Sequence, residues 1–233
     1  MTTRIPILAE ITEANSILAE NLRAAFAGEG VLVLNLMASP GAGKTTLLER
    51  SIAELNGALK MAVIEGDPHT SIDAERIDAA GVKAVEINTG GGCHLEARMI
   101  RAALGELDIA GLDLLVIENV GNLICPTGWD LGEDLKVILV SLTEGDDKPL
   151  KYPMGFLTAD AAVISKVDLE PYVPADRSTM RENALTINPD LAVFEVSSIT
   201  GEGMDRFLQW IKQRVADKRS HSSWGDEPCT RCP

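Results

Sequence analysis

The sequence predicts an α/β fold, a mostly parallel twisted sheet with helices on both faces. Short apolar runs alternate along the chain with segments whose apolar residues recur at helical spacing. The runs are mostly apolar, as in strands buried on both faces, rather than strictly alternating apolar with polar. The first of them leads directly into a glycine-rich loop and then a helix. The 233 residues, 45% apolar and 24% charged, amount to one large domain or a domain with an extension. A chain of that length buries a core without staples.

Ile11, Ala14, Ile17, Leu18, Leu22, Ala25 and Phe26 recur at helical spacing and predict an amphipathic helix over about 9–27, ended by Gly28 and Gly30. Val31-Leu32-Val33-Leu34-Asn35-Leu36-Met37 reads as a buried strand. Beyond it, helices are expected near 45–56, 73–80, 94–107, 176–187 and 203–218. Strands are expected near 60–65, 82–87, 112–117, 135–142, 161–165 and 191–196. Residues 219–233 read as an irregular tail that carries Cys229-Thr230-Arg231-Cys232. The expected organisation is one domain over 1–218, including the N-terminal helix, followed by this tail.

Lys and Arg total 21 against 35 Asp and Glu, a formal net charge of −14. That balance argues against partners that need a positive surface, nucleic acid and anionic membranes. It leaves room for one small phosphate ligand held by backbone amides. Four cysteines are too few for a disulfide scaffold and fit metal binding or chemistry better. No apolar run approaches the ~18 residues of a membrane span. Residues 1–30 contain no signal-peptide pattern, so a soluble, cytoplasmic protein is expected.

The segment Ala38-Ser39-Pro40-Gly41-Ala42-Gly43-Lys44-Thr45-Thr46 is a P-loop pattern, with Ala38 where the first glycine usually stands. Gly41 and Gly43 let the backbone wrap around phosphates, with Ala42 between them. Amides at the following helix N-terminus point at the anion. Lys44 supplies a cation to the outer phosphates, Thr45 a hydroxyl to Mg²⁺, and Thr46 reaches the inner phosphate. Glu118 ends the run Leu114-Leu115-Val116-Ile117, where a Walker-B acid belongs, and Asp67 ends another strand on the same edge. Both are candidates for the Mg²⁺ shell and for catalysis. Glu118-Asn119-Val120-Gly121 has the spacing of the loop that senses the third phosphate in GTPases.

Base choice is readable from Ser165-Lys166-Val167-Asp168, which is similar to the Asn-Lys-x-Asp guanine motif with Ser165 in place of Asn. The Asp168 carboxylate accepts both N1–H and the 2-amino group of guanine, a pair that adenine lacks. Lys166 lays its stem over the base. Ser197 and Ser198 match the loop that meets the guanine oxygen through a backbone amide. GTP is expected over ATP.

Cys93-His94 follow Gly90-Gly91-Gly92, and Cys125 lies seven residues beyond Glu118. Two thiols and an imidazole suit Zn²⁺ or Ni²⁺. Buried cysteines acting as small hydrophobes are the alternative. The position of Cys125 on the phosphate-sensing loop favours the metal, because a ligand there would move with nucleotide state.

With these segments go Glu65-Gly66-Asp67 and Thr143-Glu144-Gly145-Asp146-Asp147-Lys148-Pro149-Leu150-Lys151-Tyr152-Pro153. Together they resemble the HypB family, the hydrogenase nickel-incorporation GTPases of the SIMIBI class of P-loop proteins, over roughly residues 5–218. The resemblance implies a SIMIBI-type G domain, slow GTP hydrolysis to GDP and a GTP-dependent homodimer. It also implies a nickel or zinc site at Cys93, His94 and Cys125, with a HypA-like metallochaperone and the hydrogenase large subunit as partners. The Cys-x-x-Cys-Gly-Cys or His-rich N-terminal stretch of many family members is not found in residues 1–30, and Cys229 and Cys232 stand at the other end. His69 reads as a loop residue and Trp129 as a packing residue. A nucleotide-gated metal buffer with little turnover, or an ATP-driven insertion factor for another nickel enzyme, are the competing readings.

Overall fold

All seven expected strands form. The structure, a computed structural model, describes residues 7–67 and 72–222. The strands are β1 (Leu32–Ala38), β2 (Met61–Asp67), β3 (Lys83–Asn88), β4 (Leu114–Glu118), β5 (Leu135–Ser141), β6 (Ala161–Ser165) and β7 (Ala192–Glu195). Every position of β1, β4 and β6 is buried, which is why those runs carry no polar alternation. They make one parallel sheet in the order β3-β2-β4-β1-β5-β6-β7. The winding reverses at β1, between β4 and β5. Ligands of open α/β sheets bind at such a reversal, beyond the carboxyl ends of the strands.

The helices are α1 (Ile7–Gly28), α2 (Lys44–Leu55), α3 (Ile72–Ala79), α4 (Ala97–Ala103), α5 (Lys148–Lys151), α6 (Pro153–Leu157), α7 (Arg177–Ile187) and α8 (Met204–Ser222). One face of the sheet buries Leu34, Leu36, Val63 and Val116 against Leu47 and Ile52 of α2, Ile77 of α3 and Phe207 of α8. The opposite face is covered in two halves. Val33, Ile64 and Ile117 meet Leu22 and Phe26 of α1 and Ile100 of α4. Ile138, Val140 and Ile164 meet Phe156 of α6 and Met180 of α7.

Two boundaries differ from expectation. The helix expected over 94–107 is confined to Ala97–Ala103. Glu96 is extended, at φ −122° and ψ 155°, and the Leu95 and Ala97 amides are taken by the side chains of Asn119 and Asn15. Cys93 and His94 therefore stand on a loop before the helix. At the other end, α8 runs to Ser222, four residues past the expected boundary at 218, so residues 219–222 are helix rather than tail. Lys218 and Arg219 pair with Asp134 and Asp113, tying that last turn to the strand starts. The remaining tail, with Cys229 and Cys232, lies outside the described residues, as does His69.

Candidate functional site

The P-loop leaves the end of β1 and enters α2 at Lys44. Gly41 and Gly43 adopt φ of +74° and +99°, a region costly for any residue with a Cβ, and this explains both glycines. Gly43 caps α2 without a side-chain bond, so the first amides of the helix stay available to an anion. Thr45 Oγ1 donates to Glu118 Oε1 at 3.1 Å, and Lys44 Nζ lies 3.9 Å from the same oxygen. Three of the four residues expected to meet Mg²⁺ and the outer phosphates, Lys44, Thr45 and Glu118, are thus one contact group.

Register brings in an acid that spacing alone did not. Glu65 of β2 pairs directly with Glu118 of β4. Adjacent partners in a parallel pair point to the same face, so the two carboxylates stand side by side. Each is 2% exposed, and Oε2 of each is buried with no hydrogen-bond partner. Asp73 of α3 completes the cluster; one oxygen from each of Glu65, Asp73 and Glu118 lies within 4.8 Å of the others. Asp67, the expected partner, stands half-buried at the end of β2, close enough to raise the Glu65 pKa but outside this triad. Arg76 holds Asp73 from the solvent side at 2.9 Å and ties it to Glu49 of α2.

Burial pushes the Glu118 carboxyl up to about 7, offset in part by the Lys44 ammonium and the Thr45 hydroxyl. Burial, then the Glu118 charge, then Asp67, push Glu65 up to about 8. Two buried carboxylates with orphaned oxygens beside a threonine hydroxyl make a hard, oxygen-only donor set that fits a divalent cation of the Mg²⁺ kind. Such an ion would supply the charge that their burial leaves uncompensated.

The base-binding elements also converge on the P-loop. Ser165 Oγ donates to the Ala42 carbonyl at 2.7 Å and Lys166 Nζ to the Gly41 carbonyl at 2.6 Å. The serine that replaces asparagine therefore fastens the phosphate loop to β6. Lys166 is at φ 59°, the one non-glycine with positive φ among the described residues. Strain of this kind persists where surrounding contacts fix it, and here the Gly41 bond does so. A cavity of about 270 Å³ is lined by Ala42, Gly43, Thr46, Lys166, Asp168 and Ser198. Ser197 is not among its lining residues. It is fully buried, its amide donates to the Glu202 carbonyl at 2.9 Å, and its hydroxyl accepts from Thr200. Of the two serines, Ser198 is the one brought to the cavity.

Cys93, His94 and Cys125 meet as expected: their ligand atoms lie within 4.8 Å of one another. Both cysteines are free. Cys93 Sγ is 3.5 Å from His94 Nδ1. His94 Nε2 is buried without a hydrogen-bond partner, with the Glu96 carboxylate 3.9 Å away. Burial lowers the His94 pKa, favouring the neutral, ligating imidazole. The hydrogen bond with Cys125, then burial, push the Cys93 thiol up, the reverse of what a bound cation would do.

Two residues position the ligands, Asn122, which escapes the sequence reading, and Trp129, which that reading gives only as a packing residue. Asn122 donates to the Cys93 carbonyl at 3.3 Å and accepts from the Ile124 and Cys125 amides at 2.8 and 3.4 Å, stapling the two ligand loops together. Trp129 stacks on the His94 ring with centroids 4.5 Å apart. Its packing role is thus to hold a ligand. Arg98 pairs with Glu96 at 2.6 Å and adds no donor atom.

Comparison with known proteins bears on the family and the fold. The model of the CobW/HypB/UreG nucleotide-binding domain matches residues 32–195. Hydrogenase maturation factor HypB of Escherichia coli strain K12 is 48% identical over 208 residues, covering 89% of this chain and 72% of that protein. The crystal structure of HypB from Helicobacter pylori in complex with nickel superposes with a TM-score of 0.84 at 39% identity, over 88% of this chain and 97% of that one. The GDP complex of the signal recognition particle 54 kDa protein from Aeropyrum pernix superposes with a TM-score of 0.57 at 16% identity, over 86% of this chain and 55% of that one. It shares the fold alone, a SIMIBI-type P-loop domain. Motif order, sheet topology and these matches converge, and the chain belongs to the HypB family.

Proposed function

We propose that this protein is a GTP-hydrolysing nickel metallochaperone, acting in the cytoplasm in the maturation of [NiFe]-hydrogenase. One observation carries the reading. The three soft-to-borderline donors Cys93, His94 and Cys125 converge, and Cys125 lies on the loop that continues from Glu118 at the phosphate site. A loop that responds to the third phosphate thereby carries a metal ligand, and hydrolysis changes the grip on the cargo ion.

In this reading Lys44 and the amides of α2 neutralise the phosphates. Mg²⁺, when bound, would be held by Thr45 and Glu118, with Glu65, Asp73 and Asp67 around it, and would supply charge neutralisation at the outer phosphates. Phosphoryl transfer needs little covalent help, so the protein's part is to position the groups and stabilise charge electrostatically. Asp168 reads the guanine edge. Asp168→Asn is expected to reduce the preference for GTP over ATP by at least about 100-fold, since a polar group lost from a base pocket is a strong discriminator. A preference for ATP in the parent protein would contradict this assignment.

Three protein donors leave a tetrahedral ion one ligand short. Ile124, next to Cys125, is 66% exposed, and Leu150, Met154 and Leu157 on α5 and α6 are exposed as well. Exposed Ile124 beside an open coordination position supports an interface at this site; a GTP-dependent homodimer, with a HypA-like metallochaperone and the hydrogenase large subunit as the partners that pass and receive the metal, completes the reading. Cys125→Ala tests the cargo site. Nickel affinity is expected to fall at least about tenfold, as loss of one directly bound ligand implies. Unchanged stoichiometry and affinity would remove the site.

A further inference from the structure

Glu118 and Asn119 are consecutive, and strand alternation sends them to opposite faces of the sheet. The Glu118 carboxylate faces Thr45 and Lys44. Asn119 continues the β4 ladder by donating its amide to the Leu36 carbonyl at 3.0 Å, and its fully buried carboxamide faces the side covered by α1 and α4. There Asn119 Oδ1 accepts the amide of Leu95, the residue that follows His94, at 3.2 Å, and its own neighbour Val120 at 3.0 Å.

A buried polar chain holds this carboxamide. Asn119 Nδ2 donates to Asn35 Oδ1 at 3.2 Å. Asn35 Nδ2 donates to Glu133 Oε1 at 3.2 Å, and Glu133 Oε2 accepts the Leu131 amide at 2.6 Å. The direction of the chain is set at its ends, because a backbone N–H can only donate and a carboxylate can only accept. Flipping Asn35 would break two bonds and flipping Asn119 three. The side chain of Leu95 is itself wedged against Gly66: a Cβ on that glycine would stand 2.8 Å from Leu95 Cδ1. Gly66 lies between Glu65 and Asp67. The metal loop is thus seated, at one residue, on both acid-bearing strand ends.

We propose that Asn119 is the positioning residue that carries nucleotide state from the Glu118 end of β4 to the Cys93–His94 loop. This rests on the coupling proposed above and names its path. Asn119 is fully buried and its bonds go to Leu36, Leu95, Val120 and Asn35, none of them one of the three metal ligands. A shift of the loop after Glu118 moves its carboxamide against the fixed Asn35–Glu133 anchor. The Leu95 amide follows, and His94 with it. Asn122 and Trp129 continue to hold the three ligands together, so the metal site survives loss of Asn119 while its dependence on nucleotide does not.

The test compares nickel dissociation constants of the full-length protein with Mg·GDP and with a Mg-loaded non-hydrolysable GTP analogue, by competition with a chromophoric chelator, for the parent and Asn119→Ala. The parent ratio is expected to be about fivefold or more, and that of the variant within about twofold of one. Nickel stoichiometry and the thiolate-to-nickel absorption band are expected to be unchanged. A merely structural role would weaken both dissociation constants together and leave their ratio intact, which would overturn the inference. A parent ratio of one would overturn the coupling itself. Where Asn119→Ala does not yield folded protein, Asn35→Ser removes the anchor from outside the loop and carries the same expectation for the ratio.

Discussion

At the scale of single residues the chain sets carboxylates where their charge is poorly solvated. Glu65, with its pKa near 8, is the extreme case. In the metal-free protein the folded state holds this proton far more tightly than the unfolded chain, whose value is near 4.5. Between those values folding takes up protons, so this group's contribution to stability is complete below about 4.5 and is lost as pH rises through about 8. Glu65→Gln removes the titration. In chelator-treated protein its Tm is expected to exceed the parent's by more at pH 8 than at pH 5, each kcal/mol relieved appearing as about 2–4 °C. A gap equal at both pH values would contradict the burial argument. Excess Mg²⁺ and GDP are expected to narrow the gap by supplying the missing positive charge.

What a residue does at this site is legible from sequence in proportion to how local its partners are. Lys44 and Thr45 are one motif with Gly41 and Gly43, and spacing alone assigns them. Cys93, His94 and Cys125 are set apart by chemistry, and the structure joins them. Glu65 pairs with Glu118 through strand register, 53 residues apart in number, and Asp73 arrives from another helix. Nothing in local spacing announces either contact. Asn122 and Trp129 are ordinary loop residues until the two ligand loops are seen together.

At the scale of elements, α1 is a clamp. Its apolar positions follow helical spacing, yet Asn15, 7% exposed, sits among them. Its side chain donates to the Asp130 carbonyl at 2.8 Å and accepts the Ala97 amide at 2.9 Å. It thereby ties together the segments that lead from Cys125 and from His94. Arg23 adds an ion pair with Asp130 at 2.6 Å. Asn15→Leu leaves a buried donor and acceptor unpaired and is expected to cost about 1–3 kcal/mol, read by denaturant unfolding. Gly132 lets the helix lie this close. It is at φ +84°, and a Cβ there would stand 2.8 Å from Leu22 Cβ and 2.9 Å from the Ala19 carbonyl. Gly132→Ala is expected to cost about 2 kcal/mol or more in the same measurement, from strain and overpacking combined. The existence of α1 is plain from periodicity. Its role is not, because a polar residue on an apolar stripe takes its meaning from partners 82 and 115 residues away. The late start of α4 has the same origin, since the side chains of Asn119 and Asn15 take the Leu95 and Ala97 amides and hold Glu96 extended between them.

At the scale of the whole molecule, the parallel sheet gathers loops from β1, β2, β4 and β6 at one edge, and its alternation separates two chemistries across its faces. Oxygen donors for a hard cation stand on the α2 side, and sulfur and nitrogen donors beyond the α4 side. The net charge of −14 argues against binding phosphate by bulk charge. A helix N-terminus, Lys44 and a few converging acids form a local site within an acidic molecule. The central claim is that nucleotide state and metal binding are linked through the loop from Glu118 to Cys125. Its most direct test is size-exclusion chromatography with metal analysis of the eluted protein, equilibrated with nickel and either GDP, a non-hydrolysable GTP analogue or no nucleotide. The account predicts that the analogue alone shifts the protein to a two-chain species whose nickel content differs from that of the GDP form. The same mass and the same nickel content in all three states would contradict it.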